Sequence, residues 1–169
     1  MKLSRRSMIS VTSGTLASLA FGRAAFAGTV VKVSLWDKGA TSMDAMDTLM
    51  PMGMAMSGAM MEMATMGITA DTLEIPSGEV TFRVVNESQE FYHGMVISPV
   101  ADPLRELPYL IDEMMVDEVA AGAIARVKEL KPHDSGSVTV DLQPGSYILY
   151  CNIAGHYVMG MWTMVTVTA

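Results

Sequence analysis

From Val30 to Thr168 most of the chain alternates apolar and polar residues at a period of two, as half-buried strands do. The alternation predicts strands over residues 30–36, 72–75, 79–86, 94–98, 124–130, 137–142, 146–151 and 161–168. In the third of these, Val80, Phe82 and Val84 share one face. Pro76-Ser77-Gly78, Pro99 with Pro103, and Pro144-Gly145 punctuate the run with turns. Short strands separated by Pro and Gly predict an all-β fold, a Greek-key antiparallel β-sandwich. Two segments break the rhythm. Residues 107–121 mix acidic and apolar side chains in a helix-compatible order, so a short helical or irregular excursion is expected there. Residues 43–66 read as a loop-like insertion, with a helical turn near residues 59–65; their stretch 50–63 lacks β-branched residues and carries Gly and Pro.

Ahead of this pattern, residues 1–27 have the form of a cleaved export signal. Met1 to Arg6 is basic, and the 14 residues from Met8 to Phe21 are apolar or small. That stretch is shorter than the roughly 20 residues a spanning helix needs. Ala25-Phe26-Ala27 fits an A-x-A cleavage site, and Ser4-Arg5-Arg6-Ser7-Met8-Ile9 resembles the twin-arginine export motif. The expected mature protein is one domain, residues 28–169, with 43–66 as its Met-rich insertion. It is expected in the periplasm, as a soluble monomer without membrane insertion.

Composition narrows the chemistry. Half of the 169 residues are hydrophobic, which suits a packed core. The leader holds four of the 11 basic residues and no acidic one, leaving seven cations against 18 carboxylates, a net charge of −11. A surface that acidic repels phosphate backbones and anionic lipid, so nucleic-acid binding and membrane docking drop out. A single cysteine excludes an intramolecular disulfide, a C-x-x-C redox pair, a dithiolate dinuclear copper site and an all-Cys zinc site. Three histidines exclude a trinuclear copper cluster. Methionine is the anomaly: there are 18, ten of them between Met43 and Met66.

The candidate chemistry sits near the C-terminus, where a predicted strand delivers Cys151, a short loop carries His156 and Met161 opens the last strand. One thiolate, one imidazole and one thioether thus recur as Cys-x4-His-x4-Met. Soft sulfur with imidazole selects copper over magnesium, calcium or manganese. A second imidazole must come from elsewhere. His93, in Glu90-Phe91-Tyr92-His93-Gly94-Met95, is well placed, whereas His133 lies in the turn-like Lys131-Pro132-His133-Asp134-Ser135-Gly136. Two imidazoles and a thiolate in a plane with a weak axial Met make a mononuclear type 1 copper arrangement.

These residues resemble those of the cupredoxins, the blue and green copper proteins. The resemblance runs over nearly the whole mature chain. It implies His93, Cys151 and His156 as equatorial ligands of one type 1 copper and Met161 as the axial one. Met159, two residues earlier, is the alternative axial thioether. Leu35-Trp36-Asp37-Lys38-Gly39, the Met-rich insertion and the run from Tyr150-Cys151-Asn152-Ile153 to Gly160-Met161-Trp162 are similar to small periplasmic cupredoxins linked to copper tolerance. Many cupredoxins carry Pro where Ala154 stands, which implies a less rigid ligand loop here. Asn86, or the backbone near His93, is expected to hydrogen-bond the Cys151 sulfur.

The implied function is one-electron redox chemistry with copper tolerance or handling, not enzymatic turnover. Four ligands leave no open position for a substrate. Met50, Met52, Met54, Met56, Met60, Met61 and Met63 are candidate secondary ligands for additional Cu(I), because thioethers match a soft ion without needing deprotonation. The same run has two other readings, an adaptable docking surface and simple filler. The alternative function is a dedicated electron shuttle between redox proteins with no detoxification role, its partner protein unidentified. Asp112-Glu113 and Asp117-Glu118 read as a solvated acidic face, and Tyr157 and Trp162 as packing around the metal.

Overall fold

A strand whose every second residue is apolar buries one face, and β1 (Thr29–Asp37) does so with Val31, Val33 and Leu35. The computed structural model describes residues 28–47, 64–103 and 105–169. β1 is followed by a 3-10 helix (Ala40–Asp47), then β2 (Met66–Ala70), β3 (Glu74–Pro76), β4 (Gly78–Asn86) and β5 (His93–Val100). A two-stranded ribbon of β6 (Tyr109–Leu110) and β7 (Met115–Val116) comes next. β8 (Ala125–Leu130), β9 (Ser135–Leu142), β10 (Gly145–Tyr150) and β11 (Trp162–Thr168) complete the chain.

Two sheets form the sandwich, one ordered β2-β1-β4-β9 and the other β3-β11-β10-β5-β8. Most neighbours are antiparallel, but β1 pairs with β4 and β3 with β11 in parallel, so both sheets are mixed. The facing sides interdigitate Val31, Leu35, Phe82 and Val84 with Met95, Ile97, Leu149 and Val165 in one apolar cluster. A second cluster lies outside the five-stranded sheet, where Leu107, Val116 and Ala121 cover Val96, Ile148 and Tyr150. β5 and β10 are therefore buried on both faces, and their runs Met95-Val96-Ile97 and Tyr147-Ile148-Leu149-Tyr150 are continuously apolar rather than alternating.

Residues 107–121 take the irregular form, with turns and the small ribbon but no α-helix. The Asp117 side chain accepts from the Val119 and Ala120 amides to make a local turn there. Of residues 43–66, expected as an insertion, the last is part of the sandwich. Met66 belongs to β2 and pairs with Asp37 of β1. Its start is the 3-10 helix, Ala64 and Thr65 are not helical, and residues 48–63 lie outside the described residues. The strand placed at 72–75 is instead the three residues of β3, Glu74–Pro76, and the Thr72 hydroxyl ahead of it donates to the Glu74 carbonyl.

Candidate metal centre

Cys151 directly follows β10, and His156 sits in a run of turns between β10 and β11. Main-chain bonds from His156 to Ile153 (3.0 Å), Met159 to Gly155 (3.2 Å) and Met161 to His156 (3.1 Å) wind this loop tightly. Gly155 (φ 83°) and Gly160 (φ 91°) supply left-handed turns that a side chain would strain. The Cys151 amide donates to the Met161 carbonyl at 3.0 Å and closes the loop at its base. His93 arrives from the opposite direction as the first residue of β5, beside an irregularity in its pairing with β8.

The Nδ1 atoms of His93 and His156 are 3.2 Å apart, and Cys151 Sγ is 3.5 Å from His156 Nδ1. All three ligating atoms lie within 4.8 Å of one another, and all three side chains are buried. Donors bonded at about 2.0–2.3 Å to one first-row metal ion in a trigonal plane stand roughly 3.5 Å apart. The constellation fits a single ion with little rearrangement. Phe91 closes one side, its ring centroid 6.5 Å from both imidazoles.

Electrostatics favour neutral imidazoles and penalise a bare thiolate. Burial, with a smaller contribution from His93, lowers the His156 pKa to about 4. Burial also lowers that of His93, although Asp37 opposes the shift. The Cys151 thiol is pushed up to about 11 by burial, against the pull of the Gly94 and Ile153 amides. A thiolate in this site therefore needs a cation beside it, which a metal ion supplies.

Asp37, at the end of β1, was not among the residues singled out as ligands or their partners. Its Oδ2 lies in hydrogen-bond contact with His93 Nε2 at 2.8 Å, and its Oδ1 accepts from the Gly39 amide at 2.7 Å. The Ser88 hydroxyl, which itself accepts from the Glu90 and Phe91 amides, is a further donor to it. Burial alone would raise the Asp37 pKa; the Ser88, His93 and Gly39 donors outweigh it, and the carboxyl titrates below its ordinary value. Its signal in the sequence is faint, a lone acid at the end of an alternating strand.

The structure brings His93, Cys151 and His156 together. Met161 and Met159 are both buried in the apolar cluster that contains Cys151, and Met161 is the one whose main chain is bonded to both Cys151 and His156. His133 is exposed in its turn with φ 66° and takes no part. The seven methionines from Met50 to Met63 lie outside the described residues. Of the two donors expected at the sulfur, the backbone is the one observed: the Gly94 amide donates to Cys151 Sγ at 3.4 Å. Asn86 instead donates to the Phe91 and Leu130 carbonyls, both at 2.9 Å, because its side chain faces the turn that precedes His93. Asp117 and Glu118 are not a merely solvated face, since Glu118 pairs with Arg126 at 2.7 Å and accepts from Asn152. Tyr157 and Trp162 pack in the outer apolar cluster.

No protein-family model matches the chain, and no curated protein matches it. Solved structures do. Reduced rusticyanin superposes with a TM-score of 0.52 at 18% identity, over 82% of this chain and 78% of its own. Reduced auracyanin from the photosynthetic bacterium Roseiflexus castenholzii gives 0.50 at 19%, over 83% and 97%. Rusticyanin from Thiobacillus ferrooxidans gives 0.52 at 17%, over 82% and 76%. Rusticyanin is described as a copper protein. Two mixed sheets packed face to face, with a Cys–His loop joining the last two strands, give this chain the cupredoxin fold that rusticyanin and auracyanin share.

Proposed function

We propose that the protein is an exported one-electron carrier binding a single type 1 copper through His93, Cys151 and His156, with Met161 as axial ligand. The observation that carries the reading is the convergence of two imidazole nitrogens and one sulfur within 4.8 Å, all buried. Copper bound there would supply a Cu(II)/Cu(I) couple. The protein's part is to keep the donors nearly still in both oxidation states, because strands and a tightly hydrogen-bonded loop hold them. Burial excludes water, and the Gly94 amide stabilises negative charge on the sulfur. Met161 is preferred over Met159 because its amide and carbonyl tie it to both loop ligands.

The leader-like residues 1–27 support a periplasmic location, reached by the twin-arginine route. The Met-rich run supports a role in copper tolerance, with Met50 to Met63 capturing Cu(I). Visible spectroscopy of the Cu(II)-loaded protein tests the site. An intense thiolate-to-copper band is expected, lost in Cys151→Ser and altered in Met161→Leu more than in Met159→Leu. Absence of the band in the wild type overturns the reading. Copper stoichiometry under reducing conditions tests the second role, which requires more than one Cu(I) per chain; a single equivalent leaves an electron shuttle alone.

A further inference from the structure

We infer that Asp37 is a positioning residue for the metal: it holds the proton of His93 on Nε2, aims the Nδ1 lone pair at the ion, and favours Cu(II) over Cu(I). The inference rests on the copper reading above and extends it to a residue 56 positions from His93 in sequence.

Protons and lone pairs around Asp37 fix the His93 tautomer. Asp37 Oδ1 takes the Gly39 amide, the Ser88 hydroxyl donates to the carboxylate as well, and Oδ2 stands 2.8 Å from His93 Nε2. Ser88 must spend its proton on Asp37, since its oxygen already accepts from the Glu90 and Phe91 amides. A carboxylate so supplied acts only as acceptor. The His93 nitrogen facing it is therefore the protonated one, and Nδ1, 3.2 Å from His156 Nδ1, carries the lone pair. A metal-bound imidazole held this way gains basicity from the acid behind it. A fixed negative charge one ring away stabilises the higher oxidation state more than the lower. Both side chains are buried, so water screens the charge little.

Asp37 also has a purely architectural task, because its carboxylate starts the turn at Gly39 that leaves β1. The test must separate the two. In the copper-loaded full-length mature protein, Asp37→Asn keeps the size of the side chain and an oxygen able to accept from Nε2, and removes the charge. It is expected to weaken Cu(II) binding by about 10- to 100-fold. Cu(I) binding should change less, so the reduction potential rises by about 59 mV for each tenfold fall in the Cu(II)-to-Cu(I) affinity ratio. A merely architectural residue would lower the unfolding midpoint and leave that ratio unchanged, which would overturn the inference. If Asp37→Asn does not fold, nitrogen-15 NMR of wild-type protein without metal reads the His93 tautomer directly. A proton on Nε2 supports the assignment, and a proton on Nδ1 overturns it. A wild type lacking the thiolate-to-copper band would instead defeat the copper reading, while the NMR result would still stand by itself.

Discussion

Asn152 imitates a strand partner for Val116: its Oδ1 accepts from the Val116 amide at 2.7 Å, and its Nδ2 donates to the Val116 carbonyl at 3.0 Å. The second Nδ2 proton goes to Glu118 at 3.0 Å. Three hydrogen bonds thus clamp the irregular excursion onto the residue beside Cys151, and the Gly155 amide adds a fourth tie by donating to the Met114 carbonyl at 2.8 Å. At about 1 kcal/mol per bond, with a further cost for orphaned main-chain groups, Asn152→Ala should destabilise the protein by about 2–4 kcal/mol. Chemical denaturation is the check; a midpoint equal to wild type would mean the excursion docks through its apolar residues alone.

Gly67 lies beneath the Trp36 indole, where an added Cβ would come within 2.5 Å of ring carbon Cζ2. The ring is also held by its N–H donating to Thr69 Oγ1 at 3.0 Å. Gly67→Ala should expel the ring and cost about 1–3 kcal/mol, as overpacking does. A lowered thermal midpoint with a shifted Trp36 fluorescence maximum is expected, and Trp36→Phe should relieve part of the loss.

Protein stripped of metal should weaken in mild acid. His156 titrates near 4 in the fold, against about 6.5 in an unfolded chain, so the unfolded chain takes up the proton first. This contribution is complete above about pH 6.5 and disappears as the pH falls toward 4, amounting to about 3 kcal/mol. His93 shifts in the same direction and steepens the loss. Urea midpoints measured at pH 7, 5.5 and 4.5 should fall in that order, whereas copper-loaded protein should resist until protons displace the metal. Midpoints independent of pH would show that the imidazoles are not buried as described.

Removing the methionines without harming the sandwich requires cutting at the right places. A deletion of residues 48–63, closed with a short Gly-Ser bridge, keeps β2 and should leave the visible spectrum unchanged. Deletion of 43–66 removes Met66 from its pairing with Asp37 and should disturb the residue behind His93. Equal spectra and potentials for both deletions would show that the stem is dispensable to the site.

The alternating strands were legible because half-burial writes itself into every second residue, as in β1 and β4. The closeness of Cys151 and His156 was legible for a different reason: one short loop carries both. β2 escaped notice because five residues containing a glycine, at the end of a methionine run, carry little periodic signal. Asp37 escaped because its relation to His93 exists only once β1 and β5 stand in neighbouring layers. Asn86 was read too locally: its strand ends near the candidate site, but the side chain is consumed by the Phe91 and Leu130 carbonyls.

The stem of the insertion is narrow. Asp37 pairs with Met66, the Lys38 amide donates to the Thr65 carbonyl at 2.9 Å, and Ser42 and Thr65 exchange side-chain bonds. Closing a chain between fixed ends grows costly only with the logarithm of its length, about 0.6 kcal/mol for each doubling. If the connection is flexible, the number of residues the stem encloses weighs little on the sandwich. Methionines could then be gained or lost between Asp47 and Ala64 at small thermodynamic expense, independently of the site that Asp37 and His93 share.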